Sequence, residues 1–489
     1  MSVVLLSELI EGLRADVRNI DTSIAISSIG HDSRSVQSTG NPIFFAIRGN
    51  HVDANLFISD VLQKNPNTIV ISEDPELSRG IVVEDLSLSM AIIARRFFHA
   101  PDRSMDIIAV TGTNGKTTIG FLTRHLLNSR SKAGLLGTIE YDLGDGNVIE
   151  AINTTPLAPD FYYFLDQCRK NGCQSVVFEA SSHAIDQNRI HDVSLKVAIF
   201  TNLSQEHLDY HHTLEQYFLT KSKLFDGQNG EIPRYSVINI DDPYGKRLIK
   251  QLTDNDQAVL SFGESEDADF QIVNIQEDVF RGARFGIKHD GVIDMFSTHL
   301  FGRHNISNAA ASICAAYCTG LQMDDIKDAL ADFTNVPGRL ERMVLKNGAV
   351  VFIDYAHTPA ALKVVLSVLR PHITGRLITV FGCGGDRDRT KRAPMTNVVT
   401  SLSDYTIATA DNPRSEPLEQ IFSDMKAGIH DGANIEFIDD RYLAIAFAIN
   451  LSHAGDVVLI AGRGHENGQK IGDRVIHFND KEVVKELDA

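Results

Sequence analysis

Val110-Thr-Gly-Thr-Asn-Gly-Lys-Thr-Thr118 decides how the rest of the chain is read. The apolar run Ile107, Ile108, Ala109, Val110 leads into it, and the helical pattern Ile119, Phe121, Leu122, Leu126, Leu127 leaves it. A strand that feeds a glycine-rich turn and then a helix makes a phosphate cradle. The turn's N–H groups and the helix N-terminus converge on anionic oxygens. Lys116 is placed to reach the outer phosphates, and the Thr117 hydroxyl to sit on Mg²⁺. The plain alternative is an ordinary strand–turn–helix joint with a chance Gly-Lys-Thr. Turn chemistry, lysine, hydroxyl and helix start together weigh against it. One detail departs from the general P-loop, which carries a glycine where this chain has Val110.

Working outward, 489 residues are too many for one ordinary domain, and about three are expected. A hydrophobic share of 43% and a charged share of 22% describe a globular protein. The net charge of −18 argues against nucleic acid as a partner. It does not exclude small anions, since exposed charges are screened beyond about 8 Å and local Arg and Lys clusters decide such sites. The five cysteines, Cys168, Cys173, Cys314, Cys318 and Cys383, form no CxxC pair and read as reduced thiols of a cytoplasmic protein. The first residues lack a basic leader and meet Glu8 early, so no signal peptide is expected. No apolar run approaches the ~18 residues of a membrane span, and no membrane insertion is expected.

In chain order, residues 1–103 alternate short strands (Ile24–Ile29, Ile43–Ile47, Thr68–Ser72, Gly80–Val83) with helical patterns. The last pattern, Ser87–His99, ends at Pro101, a domain boundary. His31-Asp-Ser-Arg-Ser35 and Arg48-Gly-Asn50 are polar clusters beside strands that either bind a ligand or cap a turn. Residues 104–336 read strand, helix, strand, with Ser175–Phe178 ending in Glu179 and Val197–Phe200 ending in Thr201-Asn-Leu-Ser. This is the pattern of an α/β doubly wound parallel sheet with ligands at the carboxyl ends of its strands. Between 258 and 300 it gives way to alternating strands around Asp290-Gly291, a hairpin decorating the sheet. After the linker Asn335-Val-Pro-Gly338, residues 337–489 resume the α/β rhythm. Strands at Val350–Ile353, Leu377–Phe381, Tyr405–Ala408 and Val457–Ile460 each end in a polar cluster, which suggests a second ligand surface.

Glu179 stands where a P-loop protein needs a carboxylate for Mg²⁺; the alternative is a strand-end Glu in solvent. His207 and His211 are spaced i, i+4, but a zinc hydrolase needs Glu after the first His, where Leu208 stands. A Mg²⁺ or phosphate neighbour is the better reading of His207. By composition alone, Lys221 and Lys223 are solvated lysines of an amphipathic helix.

Further motifs stand in order along the chain. They are Thr111-Gly-Thr-Asn-Gly-Lys-Thr-Thr118, Asn153-Thr-Thr-Pro156, Glu179-Ala-Ser-Ser-His183 and Thr201-Asn-Leu-Ser-Gln-Glu-His-Leu-Asp-Tyr-His211. Gly302-Arg-His-Asn-Ile-Ser-Asn308, Pro337-Gly-Arg339, Asp354-Tyr-Ala-His357, Asp411-Asn-Pro-Arg414 and Gly462-Arg-Gly-His-Glu466 follow. Together they resemble the Mur ligases of peptidoglycan synthesis, and among these the enzymes that add the third residue of the peptide. In that family the loop reads Thr-Gly-Thr-Asn/Lys-Gly-Lys-Thr/Ser, so Gly112 stands for the glycine missing at Val110. The resemblance implies an α/β fold of three domains. A UDP-substrate domain (1–103) precedes a central P-loop ATPase sheet with its β decoration (104–336) and a Rossmann-like amino-acid domain (337–489). It implies ATP and Mg²⁺, with two metal sites, and a chain acting as a monomer on UDP-N-acetylmuramoyl-L-alanyl-D-glutamate and meso-diaminopimelate. ATP and amino acid bind on different domains, so domain motion is expected.

By motif position, Gly112, Thr113, Asn114, Gly115, Lys116, Thr117, Thr118, Asn305, Arg339 and Asp354 would bind ATP. Thr117, Glu179 and His207 would serve the metal, and Lys116, His207 and Lys221 would act in catalysis. The family's carbamylated lysine falls at Lys221 and not Lys223. There a CO₂-derived carbamate would turn a cation into a carboxylate-like ligand. Ser33, Thr154, Thr155, Ser181, Gln187 and Arg189 would hold the UDP-linked peptide. Arg387, Asp411, Asn412, Pro413, Arg414, Gly462 and Glu466 would bind the incoming amino acid. A buried Arg414, with Arg387, suits the distal carboxylate that lysine lacks. The family pattern continues Arg-x-Glu-acid-Pro; here Arg414-Ser-Glu-Pro417 is one residue shorter, which bears on amino-acid preference. The rivals are a lysine-adding ligase, folylpolyglutamate synthase and a P-loop ATPase switch. The N-terminal domain and the Asp411-Asn-Pro-Arg414 tip argue against the second. The charged tips of the last domain argue against the third.

Overall fold

The computed structural model describes residues 4–49 and 52–489, so Asn50 of the Arg48-Gly-Asn50 cluster and the first three residues lie outside it. The chain forms two compact units. One runs up to Gln271 and takes in Asn308–Ile326; the other comprises Ile272–Ser307 and Lys327–Ala489.

In the first unit the N-terminal sheet has the order Ala15–Arg18, Gly80–Val83, Ile69–Ser72, Pro42–Phe45, Ser28–Gly30. Only Ala15–Arg18 is antiparallel to its neighbour. Ile43, Phe45, Ile69, Ile71 and Ile81 pack on the helix Leu86–Phe97 through Leu86, Met90 and Ile93. That helix starts where Asp85 accepts the Leu88 N–H, which satisfies one donor of its first turn. The strand expected over Ile24–Ile29 is shorter, Ser28–Gly30. Its first half is spent on the chain start instead, with Leu6 N–H donating to Ile24 and Ile26 N–H to Val4.

The second sheet of this unit runs Val259–Gly263, Tyr235–Asn239, Val197–Phe200, Asp106–Thr111, Ser175–Glu179, Ala133–Leu136. All of these are parallel, and Glu140–Asp142 and Val148–Glu150 add an antiparallel edge. Ile107, Ile108, Ala109 and Val110 are fully buried, as a strand covered on both faces requires. Register puts Glu179 beside Val110 and Phe200 beside Thr111, so three strand ends meet at the glycine-rich loop.

The second unit holds the sheet Glu341–Val344, Val350–Asp354, Val457–Ala461, Leu377–Cys383, Tyr405–Ala410, Ile435–Ile438, parallel except at its first strand. Leu362, Leu366, Met395, Val399, Ile421 and Met425 line one apolar layer, from the helices Pro359–Leu369, Arg392–Leu402 and Leu418–Lys426. Ala444, Ile445, Ala448 and Val484 line the other, from Arg441–Leu451 and Asp480–Leu487. The hairpin Gly282–His289 and Val292–Thr298 also belongs here, and its turn is Asp290-Gly291 as expected. The α/β class and the β decoration expected from sequence are thus observed. Among the described residues, no helix is long and apolar enough to cross a membrane.

Arg441 and Asp480 form an ion pair with both side chains fully buried, joined by two bonds of 2.8 Å. The Arg441 Nη2 also donates to the Ala461 carbonyl at 3.2 Å, tying both helices to a strand end. Removing one partner strands the other charge, so Asp480→Ala is expected to cost about 3–5 kcal/mol. Arg441→Met with Asp480→Leu should recover most of that loss. Urea unfolding of the three proteins measures both; a double variant no better than the single would refute the electrostatic account.

Candidate active site

The glycine-rich loop takes its shape from the neighbouring strand end. Gly112 has φ 144°, and a Cβ there would lie 1.9 Å from the Thr201 hydroxyl. Gly115 caps the helix Lys116–Asn128 at φ 90°, where a Cβ would lie 2.5 Å from Asn308 Oδ1. Both positions therefore demand glycine. Thr113 N–H donates to the Asn202 carbonyl and Asn114 N–H to Asn202 Oδ1, each at 2.9 Å. The Thr201 hydroxyl donates to the Asn114 carbonyl at 2.7 Å, and Ser204 N–H to Thr113 Oγ1 at 3.0 Å. Lys116 Nζ donates to the carbonyls of Gly112 and Thr113, both at 2.9 Å. Thr117 and Thr118 are buried in the first helical turn.

Glu179 is not in solvent. It is 1% exposed and accepts from Thr117 Oγ1 (3.1 Å), Thr138 N–H (2.8 Å) and Thr138 Oγ1 (2.9 Å). A carboxylate between two threonine hydroxyls is a hard oxygen set, the chemistry that suits Mg²⁺. Thr138 was not picked out from sequence, although it follows the apolar strand Ala133–Leu136 just as Glu179 ends its own.

Lys221 corrects the composition-only reading. It lies on the helix Leu214–Ser222, is 1% exposed, and donates to the Gly112 carbonyl at 3.0 Å. Its Nζ stands 4.6 Å over the Tyr217 ring. Burial, together with the Lys116 charge, pushes its pKa well below the usual lysine value. Lys223 behaves as first read, partly exposed and 3.5 Å from Asp186. His207 has φ 54° and precedes the short helix Leu208–His211, so the i, i+4 histidines do not share a helical face. His211 is buried with Nε2 2.9 Å from Ser182 Oγ, and burial, then His183, lowers its pKa to about 4. His207 packs edge-on to the His183 ring, centroids 5.0 Å apart.

Thr154, Thr155, Ser181, Gln187 and Arg189 gather around the Glu179 strand end. The Thr154 and Thr138 hydroxyl oxygens lie 3.1 Å apart, with Thr138 accepting because its own proton goes to Glu179, and the Thr155 hydroxyl donates to the Glu179 carbonyl at 2.6 Å. Ser181 caps the helix Ser182–Asp186, and its N–H reaches Thr155 Oγ1 at 3.1 Å. Arg189 donates to the Thr155 carbonyl (2.8 Å) and to Gln187 Oε1 (2.8 and 3.1 Å). Ser33 lies on a separate loop after Ser28–Gly30, where His31 meets Asp160 at 2.9 Å and Arg34 meets Asp32 at 2.8 Å.

Asn305, Arg339 and Asp354 belong to the second unit. Asn305 Nδ2 donates to the Phe301 carbonyl at 2.8 Å, and the Arg339 guanidinium lies 5.2 Å over the Tyr355 ring. Asp354 accepts the N–H groups of Leu340 and Ala356, each at 2.8 Å, while burial pushes its carboxyl pKa up. At the next strand ends, Asn412 Nδ2 donates to Glu466 Oε2 at 2.9 Å, and burial raises the Glu466 pKa. Asp411, Pro413 and Gly462 are buried beside them, and a Cβ on Gly462 would lie 2.8 Å from Asp411 Oδ2. Arg414 is half-buried, not buried as expected. Its Nη1 donates to the Gly385 carbonyl at 2.8 Å. Arg387 is exposed on the adjacent loop. Sequence reading missed Arg463, fully buried and donating to the Gly468 and Phe478 carbonyls at 3.0 Å, which orders this tip from beneath.

A braced P-loop with a strand-end carboxylate, and an α/β sheet with acids and arginines at its tips, define an ATP-using enzyme that acts on small charged substrates. Residues 110–316 match the Mur ligase middle domain, and 338–464 the Mur ligase, glutamate ligase domain. A UDP-N-acetylmuramoyl-L-alanyl-D-glutamate–2,6-diaminopimelate ligase of Fusobacterium nucleatum is 37% identical over 477 residues, 96% of this chain and 95% of its own. One from Aquifex aeolicus is 39% identical over 477 residues, 97% of this chain and 96% of its own. A solved structure of a ligase of that name is 32% identical, covers 99% of both chains and has a TM-score of 0.74. The chain belongs to the Mur ligase family.

A methyl group at position 112 collides with Thr201, so Gly112→Ala is expected to weaken ATP binding by roughly 100-fold, the scale of an ångström-sized misplacement. Calorimetric titration reads it directly. An unchanged dissociation constant would show that the loop tolerates what its geometry forbids.

Proposed function

We propose that this chain joins meso-diaminopimelate to UDP-N-acetylmuramoyl-L-alanyl-D-glutamate in the cytoplasm at the expense of ATP, a step of peptidoglycan synthesis. Relatives of that name match it over nearly their whole length. Within the molecule, one observation carries the reading. In the tip Asp411-Asn-Pro-Arg414, the Arg414 Nη1 lies 3.4 Å from the carbonyl of Asn412, whose side chain holds Glu466 at 2.9 Å. An acid for an amine and an arginine for a carboxylate answer the distal end of a diamino diacid. Lysine offers only the amine.

The proposed division of labour follows the sequence: residues 1–103 with Ser33 for the UDP end, 104–336 for ATP, and 337–489 for the amino acid. Gly112–Thr118 holds the phosphates through Lys116 and the loop N–H groups that Asn202 does not take, with Asn305, Arg339 and Asp354 on the nucleotide. Thr154, Thr155, Ser181, Gln187 and Arg189 hold the peptide-bearing substrate next to Glu179. The carboxylate of the UDP-linked peptide attacks the γ-phosphorus of ATP, ADP leaves, and an acyl phosphate of that substrate forms. The incoming amine then adds to the acyl carbon and phosphate departs from the tetrahedral intermediate, giving the amide. The chain's task is positioning and charge neutralisation.

Thr117, Glu179 and His207 would hold Mg²⁺ at two sites, and the oxygen set around Glu179 fits that ion. When bound, it neutralises phosphoryl charge. Lys221 fits the carbamate: only a neutral amine combines with CO₂, and this amine is fully buried with a depressed pKa. The carbamate would add a carboxylate-type ligand to the metal site.

Two outcomes are expected. Ligation rates should favour meso-diaminopimelate over lysine by as much as ~10⁴, since a site built to pair a carboxylate rejects an analogue without one; a preference for lysine would refute the role of Arg414. Lys221→Ala should lose most activity, and carbon-labelled bicarbonate should mark Lys221 in the native protein. Full activity of that variant would end the carbamate reading.

A further inference from the structure

The loop that carries Arg414 is held from below by a second arginine. Arg392 opens the helix Arg392–Leu402 and has a fully buried side chain. Its two terminal nitrogens grip Glu416 bidentately, at 2.7 and 2.6 Å. Nη1 also reaches Asp424 (2.8 Å), and Nη2 reaches the Gly384 carbonyl (3.1 Å). Gly384 and Glu416 belong to the two loops that bear Arg387 and Arg414. The same loops are laced above the clamp. Asp386 N–H donates to Glu416 Oε2 at 3.1 Å, Ser415 N–H to Asp386 Oδ2 at 3.0 Å, and Gly385 N–H to the Asn412 carbonyl at 2.9 Å. The Arg392 bonds hold the Glu416 carboxyl below its usual pKa.

Arg414 itself has φ 54°, a left-handed conformation that an arginine does not adopt unaided. Surrounding contacts must impose it, and Glu416 stands two residues further on, past Ser415. Arg414 N–H donates to the Lys470 carbonyl at 3.0 Å and Gly472 N–H to the Arg414 carbonyl at 2.7 Å, while Arg392 holds Glu416. The short connection Arg414-Ser-Glu-Pro417 is thus tied on both sides of Ser415. Every polar bond named for Arg392 goes to Glu416, to Asp424 or to the Gly384 carbonyl.

We infer that Arg392 is a positioning residue for amino-acid choice. By joining Glu416 to Gly384 it holds the Arg387 and Arg414 loops as one piece, and so fixes the Arg414 guanidinium where a distal carboxylate is read. This rests on the proposed role of Arg414. A guanidinium free to swing toward water would neither favour the carboxylate nor object to its absence, and discrimination depends on the objection.

The test compares kcat and KM for meso-diaminopimelate and for lysine in the native enzyme, Arg392→Lys and Glu416→Gln. Lysine in place of Arg392 keeps the charge but loses the fork; glutamine in place of Glu416 keeps the shape but loses the charge. Both variants should raise KM for diaminopimelate and narrow the preference over lysine by roughly 10- to 100-fold, the scale of a small misplacement of the reading group. KM for ATP and for the UDP-linked substrate should stay unchanged. If the clamp merely stabilises the unit, kcat falls equally for both amino acids with the ratio intact, and the inference is overturned. Glu416→Gln alone decides the matter if Arg392→Lys does not fold. A native enzyme that prefers lysine instead overturns the reading of Arg414, a result visible before any variant is made.

Discussion

A parallel sheet buried on both faces can show polar chemistry only where its strands stop. The strand-borne groups around the glycine-rich loop obey that constraint, and Lys221 reaches them from the helix Leu214–Ser222. Thr111, Glu179 and Phe200 end three adjacent strands, Thr201 follows the last of them, and the glycine-rich loop is the connection out of the middle one. The constraint also explains why the loop leans on its neighbour. Asn202 and Thr201 offer a carbonyl, an amide oxygen and a hydroxyl to a backbone that would otherwise have unpaired groups in a buried crevice. Catalytic geometry here is a by-product of strand register. A slip of one residue in Val197–Phe200 would invert its side chains and remove that support.

Much of this was legible in the sequence because the signals are local. The apolar run before Gly112, the Asp290-Gly291 turn and the acid after Phe178 are each read within a few residues of themselves. Lys221 was legible only through a family pattern. Composition made it a solvated lysine, and its burial depends on Gly112, more than a hundred residues earlier in the chain. Thr138, Asn202, Arg392 and Arg463 were missed. Thr138 and Asn202 act across 41 and 88 residues, and an isolated threonine, asparagine or arginine carries no periodic signature. The strand expected at Ile24–Ile29 shortened because the chain start competes for its hydrogen bonds, a rivalry no propensity encodes. The helical pairing of His207 with His211 failed because one left-handed residue, His207 itself, starts the helix too late.

An acidic chain might be expected to bury carboxylates where it buries charge. Yet its bulkiest fully buried side chains include Arg392, Arg441 and Arg463, all in the second unit. Arg392 and Arg441 sit on carboxylates. Arg463 instead donates to the carbonyls of Gly468 and Phe478 and lies 5.4 Å over the Phe478 ring. Such interior cations contribute little net stability. Their guanidinium planes do something apolar side chains cannot, since five donors in a rigid fork fix the orientation of several loops at once.

The left-handed backbone at Arg414 has an evolutionary consequence. At φ 54° the chain itself favours glycine or asparagine, each one small step from relieving the local strain. Random drift at this position therefore runs downhill toward side chains without a guanidinium, and a search for thermostable variants would be drawn the same way. Arginine stands there against the preference of its own backbone. On the proposed reading of Arg414, stability and substrate discrimination are set in opposition at a single residue, so a lineage released from selection on that discrimination would be expected to lose the arginine early and the fold late.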